Sequence, residues 1–353
     1  MGAPLRWVFS IVPAKWLPGL MLWAGLAGCT HHEQFHRAVQ VSAEVETVPV
    51  PSRDDAADDP AIWIDAVEPA RSLVIGTDKG SGLLAYDLSG AQLQYLPVGE
   101  LNNVDLRQAP WGQQGQTLLA ATQRNPSRLV LFVLDHASRE LRTVASHTTE
   151  LAEPYGICMY QAEQQPYLIA NSKGGEFVQY AVTPDFALQP LRRWRTRSQP
   201  EGCVADDLTH TLYFGEEAAG VWQISALPDA ATEAQVFDAV ENGRLVADVE
   251  GMTLYRQSQR TLLIVSSQGD NSFVVYDTAT RRHLLTFQVA DGQDRNGDAI
   301  DGATETDGIA ATALPLPGFP GGLLVVQDGY NRQPASEQNF KLVDLAPVIG
   351  RLD

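Results

Sequence analysis

Apolar and polar positions recur along this chain with a period of about fifty residues. In each repeat a polar opening leads into a short apolar run, and a second apolar run follows and ends in a polar, mostly charged turn. The openings are Asp59-Pro60-Ala61-Ile62, Val104-Asp105-Leu106, Tyr155-Gly156-Ile157, Glu201-Gly202-Cys203, Glu250-Gly251-Met252 and Asp307-Gly308-Ile309. Their first residues lie 45, 51, 46, 49 and 57 positions apart. The second runs are Leu73-Val74-Ile75, Leu118-Leu119-Ala120, Tyr167-Leu168-Ile169, Leu212-Tyr213-Phe214, Leu262-Leu263-Ile264 and Leu323-Leu324-Val325. Short runs of this composition, bounded by Gly, Pro, Asp and Ser, read as strands, and helical periodicity is scarce. The period predicts an all-β fold, a six-bladed β-propeller with four antiparallel strands per blade. The last repeat offers three strands, over 307–314, 321–327 and 339–345. The alternating segment 41–50 supplies the fourth, so an N-terminal strand closes the last blade and removes the exposed edges of an open ring.

This architecture fixes where the polar residues go. The loop leading into the first strand of a blade and the hairpin joining its second and third strands open on one face. The loops supply Asp58, Asp59, Asp105, Tyr155, Glu201, Asp248, Glu250 and Asp307; the hairpins supply Lys79, Arg124, Lys173, Glu216, Glu217, Gln268 and Asp328. Acidic residues also occur at strand ends as turn formers, but Glu is not a favoured turn residue, so Glu201 and Glu250 stand apart. Carboxylates converging on one mouth repel one another and require a counter-ion. Oxygen ligands in this number suit Ca²⁺ rather than Zn²⁺.

Composition narrows the partners. The formal net charge is −18, which argues against nucleic acid, whose phosphates need basic surfaces. Three of the seven His residues, His31, His32 and His36, precede the repeats and the others are scattered, so a His-based zinc site is not expected. Residues 1–28 carry only Arg6 and Lys15 as charges and contain an apolar run too short to span a membrane, the form of a secretory signal. Leu26-Ala27-Gly28-Cys29 resembles the bacterial lipobox, in which the Cys is lipidated. Thr30 after it resembles the sorting pattern of Gram-negative outer-membrane lipoproteins. The division is then a signal at 1–28, a tether at 29–40 and a propeller at 41–353. The expected protein is a monomer that meets the membrane only through its lipid anchor, or is released from the cell. The other two cysteines, Cys158 and Cys203, fall on first strands of adjacent blades; a disulfide and two buried thiols are both open.

Eight short motifs, in order and at the blade spacing, resemble those of the β-propeller phytases. They are Asp58-Asp59-Pro60-Ala61-Ile62-Trp63, Leu101-Asn102-Asn103-Val104-Asp105, Lys173-Gly174-Gly175-Glu176-Phe177, and Glu201-Gly202 with Asp206-Asp207 and Glu216-Glu217. Asp248-Val249-Glu250-Gly251, Ser266-Ser267-Gln268-Gly269, Thr306-Asp307-Gly308-Ile309 and Gln338-Asn339-Phe340-Lys341 complete the set. The resemblance implies calcium-dependent hydrolysis of myo-inositol hexakisphosphate (phytate), with calcium phytate as the small-molecule substrate. It implies that Asp58, Tyr155, Glu201, Glu217, Asp248, Glu250 and Gln268 hold catalytic Ca²⁺. Asp59, Asp307 and Asn339, with Glu46, would hold Ca²⁺ that stabilises ring closure. Lys79, Arg124 and Lys173, with the Tyr155 hydroxyl, would contact the phosphate being cleaved, and Glu201 and Glu217 would be catalytic through the metal. No Ser/His/Asp or Cys/His arrangement suggests a covalent nucleophile.

Two features depart from the family pattern. Gly80 stands where many members have a second Lys beside the one matching Lys79. The loop 291–302, Asp-Gly-Gln-Asp-Arg-Asn-Gly-Asp-Ala-Ile-Asp-Gly, is long and acidic, and reads either as an improvised calcium loop or as a solvated turn. Competing functions on such a scaffold are a calcium-dependent lactonase, a phosphodiesterase or a non-catalytic envelope scaffold. The three cations at the mouth discriminate, because a lactone site has no use for them.

Overall fold

Six antiparallel sheets follow one another along the chain, and their first strands pack side by side in a closed ring. The computed structural model describes residues 38–352 and Gly2; the apolar signal, the lipobox with Cys29 and the tether up to residue 37 lie outside the described residues. Blade one is Ala57–Trp63, Leu73–Asp78, Gly82–Tyr86 and Gln92–Leu96; blade two is Leu101–Gln108, Gln116–Gln123, Arg128–Asp135 and Glu140–Thr148. Blade three is Pro154–Ala162, Gln165–Ser172, Glu176–Val182 and Leu188–Arg195; blade four is Pro200–Asp206, Thr211–Glu216, Gly220–Ser225 and Gln235–Ala239. Blade five comprises Val249–Arg256, Thr261–Ser267, Ser272–Asp277 and His283–Val289, and blade six Ile309–Thr312, Leu323–Asp328 and Asn339–Asp344.

The second strand of each blade is buried on both faces because neighbouring blades cover it. That is why Leu73-Val74-Ile75 or Leu262-Leu263-Ile264 reads as a continuous apolar run rather than an alternation. Side chains such as Trp63, Phe132, Phe214 and Phe340 fill the spaces between blades. Each such burial contributes roughly 1.5–3 kcal/mol relative to exposure.

The N-terminal segment closes the ring, but in two short pieces rather than one long strand. Val45–Glu46 pairs antiparallel with the last strand of blade six, in register with Leu342 and Lys341. Val39–Val41 pairs parallel with the outer strand of blade five, Val39 opposite Phe287. The chain thus clasps two blades. The loop 291–302 forms a small hairpin, Gly292–Gln293 against Ala299–Ile300. Three of its four acids are already committed: Asp294 accepts the backbone N–H of Asn296 and Asp298, Asp291 pairs with Arg332 and Asp301 with Lys341. The Arg295 N–H donates to the Glu44 carbonyl, so the hairpin braces the closing arm, and its acids do not converge on one point as a calcium loop requires. Cys158 and Cys203 form a disulfide between the first strands of blades three and four.

Candidate active site

The first strands of blades one to five share one irregularity. Their pairing with the second strand shifts after the first residue, between Ala57 and Pro60, Leu101 and Val104, Pro154 and Ile157, Pro200 and Cys203, and Val249 and Met252. Two residues there face one, which is a β-bulge, and bulges re-aim side chains. The bulged pairs are Asp58-Asp59, Asn102-Asn103, Tyr155-Gly156, Glu201-Gly202 and Glu250-Gly251; Asp307-Gly308 occupies the same place before the first strand of blade six. The glycine is a spatial requirement. A Cβ on Gly156 would lie 2.0 Å from the Glu201 carbonyl oxygen, and one on Gly202 would lie 2.4 Å from that of Glu250.

The hairpins repeat just as regularly. The N–H groups of Lys79, Arg124, Lys173, Glu217 and Gln268 donate to the carbonyls of Ala56, Glu100, Glu153, Gln199 and Asp248. Each hairpin tip is therefore pinned beside the bulge of its own blade, and both sets of side chains meet at one mouth.

Within it, one carboxylate oxygen each from Glu201, Glu217 and Glu250 lies within 4.8 Å of the others. Glu201 and Glu250 are buried, as is Asp58. Burial, then the charge of Asp58, pushes the Glu201 carboxyl up to about 8. Burial and the charge of Glu201 hold Glu250 well above the usual carboxylate range, and burial raises Glu217. Both Asp58 oxygens, Glu250 Oε2 and Asn102 Oδ1 are buried without a hydrogen-bond partner. Unpaired buried acceptors among mutually repelling carboxylates are the donor set of a hard cation, and the group fits a metal with oxygen ligands.

The cations stand around this cluster. Lys79 is buried, with Nζ 2.6 Å from Asp55, 2.9 Å from Asp307 and 3.7 Å from Asp58. Burial opposes its charge, but Asp58 and Asp307 outweigh that and hold it protonated. Arg124 reaches back to the Lys79 carbonyl at 3.3 Å. Lys173 Nζ lies 4.4 Å from the centroid of the Tyr155 ring. Burial and the charge of Glu201 push the Tyr155 phenol up, so its hydroxyl keeps its proton and can donate. Gln268 donates to Asp307 Oδ1 at 2.7 Å, and Asp248 lies close enough to raise Glu217.

The structure divides the four residues expected at a closure site. Asp307 contacts Lys79 and Gln268 at the mouth, and Asp59 accepts the Val104 N–H between blades one and two. Asn339 and Glu46 meet at the ring closure, 3.0 Å apart, where the buried Lys341 ammonium binds Glu46, Asp301 and Asp328. The counter-charge there is a lysine of the chain itself.

Two further expectations change. Asp105 is not at the mouth; it lies in the channel, accepting from the Met159 N–H and pairing with Arg107, which also holds Asp207. The blade-two residue at the bulge is Asn102, which donates to Glu201 Oε1 at 3.1 Å. Aligning the repeats on the residue two before Val104 would have found it. Glu216 is also structural, its Oε1 accepting the N–H groups of Arg197 and Ser198. Asp55, the closest partner of Lys79, carries no sequence signal beyond its place before the Asp-Asp-Pro motif.

A phytase family model matches residues 15–353 of this chain. The 3-phytase of Bacillus subtilis (strain 168) is 36% identical over 340 residues, which cover 91% of this chain and 88% of that protein. Among solved structures, a calcium-binding protein, regucalcin, from Agrobacterium tumefaciens str. C58 aligns with a TM-score of 0.55 at 12% identity, over 87% of this chain and 97% of that one, a likeness of fold alone.

Proposed function

The chain belongs to the phytase family, and from that premise we propose that it hydrolyses phosphate monoesters of phytate in a calcium-dependent reaction, starting at the 3-position as the name of its Bacillus relative suggests. The observation that carries the reading is the meeting of Glu201, Glu217 and Glu250 with Lys79, Arg124 and Lys173 at one mouth. Family membership sets aside the lactonase, phosphodiesterase and scaffold readings.

Asp58, Glu201, Glu217 and Glu250, with Asp248, Gln268 and Tyr155 at the rim, are the residues that would hold Ca²⁺. Asp307 and Asp59, and separately Asn339 and Glu46, are candidate ligands of further ions. Calcium, when bound, supplies neutralisation of the polyanionic substrate and a lowered pKa for water. The chain supplies the rest. Lys79, Arg124 and Lys173 surround the phosphoryl oxygens and stabilise the charge that builds on them. The Tyr155 hydroxyl donates a hydrogen bond to the same group. Lys79 must exchange a carboxylate for the phosphate, so in the free protein its ion pairs keep it in place.

Phosphate release from phytate by the purified protein, with calcium and with chelator, tests this. Chelation should abolish release and lower the melting temperature, because a ligand of the folded state alone stabilises it by mass action. Full activity in chelator would overturn the calcium dependence. We also propose that Cys29 carries a lipid anchor to the outer membrane of a Gram-negative envelope. Fatty-acid labelling should mark the wild-type protein and not Cys29→Ser; an unlabelled wild type would refute the anchor.

A further inference from the structure

The loop between the first and second strands of a blade, and the hairpin between its third and fourth, open on the face opposite the mouth. In blade five these connections read Arg256-Gln257-Ser258-Gln259-Arg260 and Thr278-Ala279-Thr280-Arg281-Arg282. They hold four arginines and no acid, in a chain whose net charge is −18. Arg256 pairs with Asp206 at 2.7 Å, whereas Arg281 and Arg282 are exposed, Arg281 meeting the Gln235 side-chain oxygen at 3.4 Å. Asp277, the acid beside that turn, is taken up within it, accepting from the N–H and the hydroxyl of Thr280. Blade six presents a different surface beside this one. Its chain carries no charge between Asp307 and Asp328. The loop 313–322, Ala-Leu-Pro-Leu-Pro-Gly-Phe-Pro-Gly-Gly, buries Leu316 and Phe319 and exposes Leu314, Pro315, Pro317 and Pro320.

The N-terminal arm joins the propeller between these two surfaces. Val39–Val41 runs parallel to the outer strand of blade five, His283–Val289, so the backbone enters Val39 from the side of His283 and the Arg281-Arg282 turn, away from the mouth. Val39, Ala313 and Ile349 pack against one core, which puts the entry beside the root of loop 313–322 and the final helix, Ala346–Ile349. Cys29 precedes Ala38 by nine positions, a reach of about 30 Å for a fully extended chain. A lipid at Cys29 would therefore hold the bilayer within that distance of the arginines of blade five and the uncharged loop of blade six.

We propose that the face opposite the mouth, over blades five and six, docks on an anionic lipid bilayer and leaves the mouth pointing into the medium. The inference rests on the lipoprotein reading of Cys29 and is independent of the reaction at the mouth. Anionic headgroups attract exposed arginines, about fivefold in binding for each, and the effect falls with salt. Leu314 and the prolines beside it can enter the headgroup boundary with no charge to desolvate. The short tether makes docking intramolecular, so contacts too weak to recruit a free protein suffice to orient an anchored one. Charge selects the same orientation from the other side, because the carboxylates around Glu201 and Glu250 are repelled by an anionic surface.

The test uses the full protein purified with its fatty acid and reconstituted into vesicles of phosphatidylcholine, alone or mixed with phosphatidylglycerol. Amide hydrogen exchange, followed by mass spectrometry, should slow across 278–283 and 313–322 on the phosphatidylglycerol vesicles. The hairpins of Lys79 and Lys173 at the mouth should exchange alike on both. Replacing Arg281 and Arg282 together by Gln should lower the docked-to-free ratio roughly 25-fold, about fivefold for each charge, and abolish the slowing. Leu314→Ser should remove part of it, and melting curves should show both variants as stable as wild type. Exchange that is the same on the two kinds of vesicle, or slowing that falls on the mouth hairpins, would overturn the orientation while leaving the anchor in place. A wild type without fatty acid would remove the anchor, and this orientation with it.

Discussion

Glu201→Gln or Glu250→Gln lowers turnover on calcium phytate by roughly 100-fold or more, yet leaves the chelated protein at least as stable as wild type. The loss of rate follows because a metal ligand at the centre of the cluster is weakened, and the metal's share of transition-state stabilisation is several kcal/mol, about a factor of ten for each 1.36 kcal/mol. The retained stability follows from the environment. Glu201 is buried beside Asp58 and Glu250, and without a cation it holds its proton to about 8 rather than the ordinary 4.5. The native protein therefore binds a proton that the unfolded chain releases, so in chelator stability falls as pH rises from about 4.5 to about 8. Glutamine removes that dependence. Melting curves of both proteins in chelator at pH 5 and pH 8 check it. A Glu201→Gln variant that melts well below wild type at pH 8 would show that the carboxylate supports the fold and does not strain it.

Lys341→Met lowers stability by about 3–5 kcal/mol, a melting temperature lower by roughly 5–8 °C, with kcat little changed in the surviving folded protein. Lys341 is fully buried, and its ammonium meets Asp301 at 2.7 Å, Asp328 at 3.5 Å and the carboxylate of Glu46. Methionine fills the volume but leaves three carboxylates facing one another, and Asp328 Oδ2 already lacks a hydrogen-bond partner. Adding Asp328→Asn should return part of the loss, since it removes one of the repelling charges. Thermal melts of the single and double variants in chelator measure both effects. A loss no larger than that of an ordinary surface change would mean that the ring closes without this ion cluster.

The propeller was legible because burial on both faces writes each second strand as an unbroken apolar run, six times at nearly even spacing. The mouth was legible for a related reason: hairpin tips such as Lys79, Arg124 and Lys173 follow those runs directly. The bulges were not legible, because an extra residue in a short strand leaves no mark on its composition. Blade two shows the cost. Reading the repeat from Val104 placed Asp105 at the mouth, whereas the bulge puts Asn102 there and Asp105 in the channel with Arg107. Partners distant in sequence were also hidden. Nothing local announces that Lys79 lies between Asp55 and Asp307, or that Lys341 reaches Glu46 across almost the whole chain. The alternation from 41 to 50 predicts one long closing strand, but two separate pairings, Val39–Val41 and Val45–Glu46, divide the segment.

That closure has a consequence for the order of synthesis. The closing piece, Val45–Glu46, leaves the ribosome before any blade exists, and its partner Asn339–Asp344 leaves after all the others. Glu46 and Lys341 are separated by 295 residues, a wait of roughly 15–60 s at ordinary elongation rates. Throughout that interval the closing strand has no partner, and the nascent chain carries an open edge to which a neighbouring chain can add. A premature stop in the final dozen or so codons, which leaves five blades intact, would therefore unlock the ring as a whole and leave the product to proteolysis.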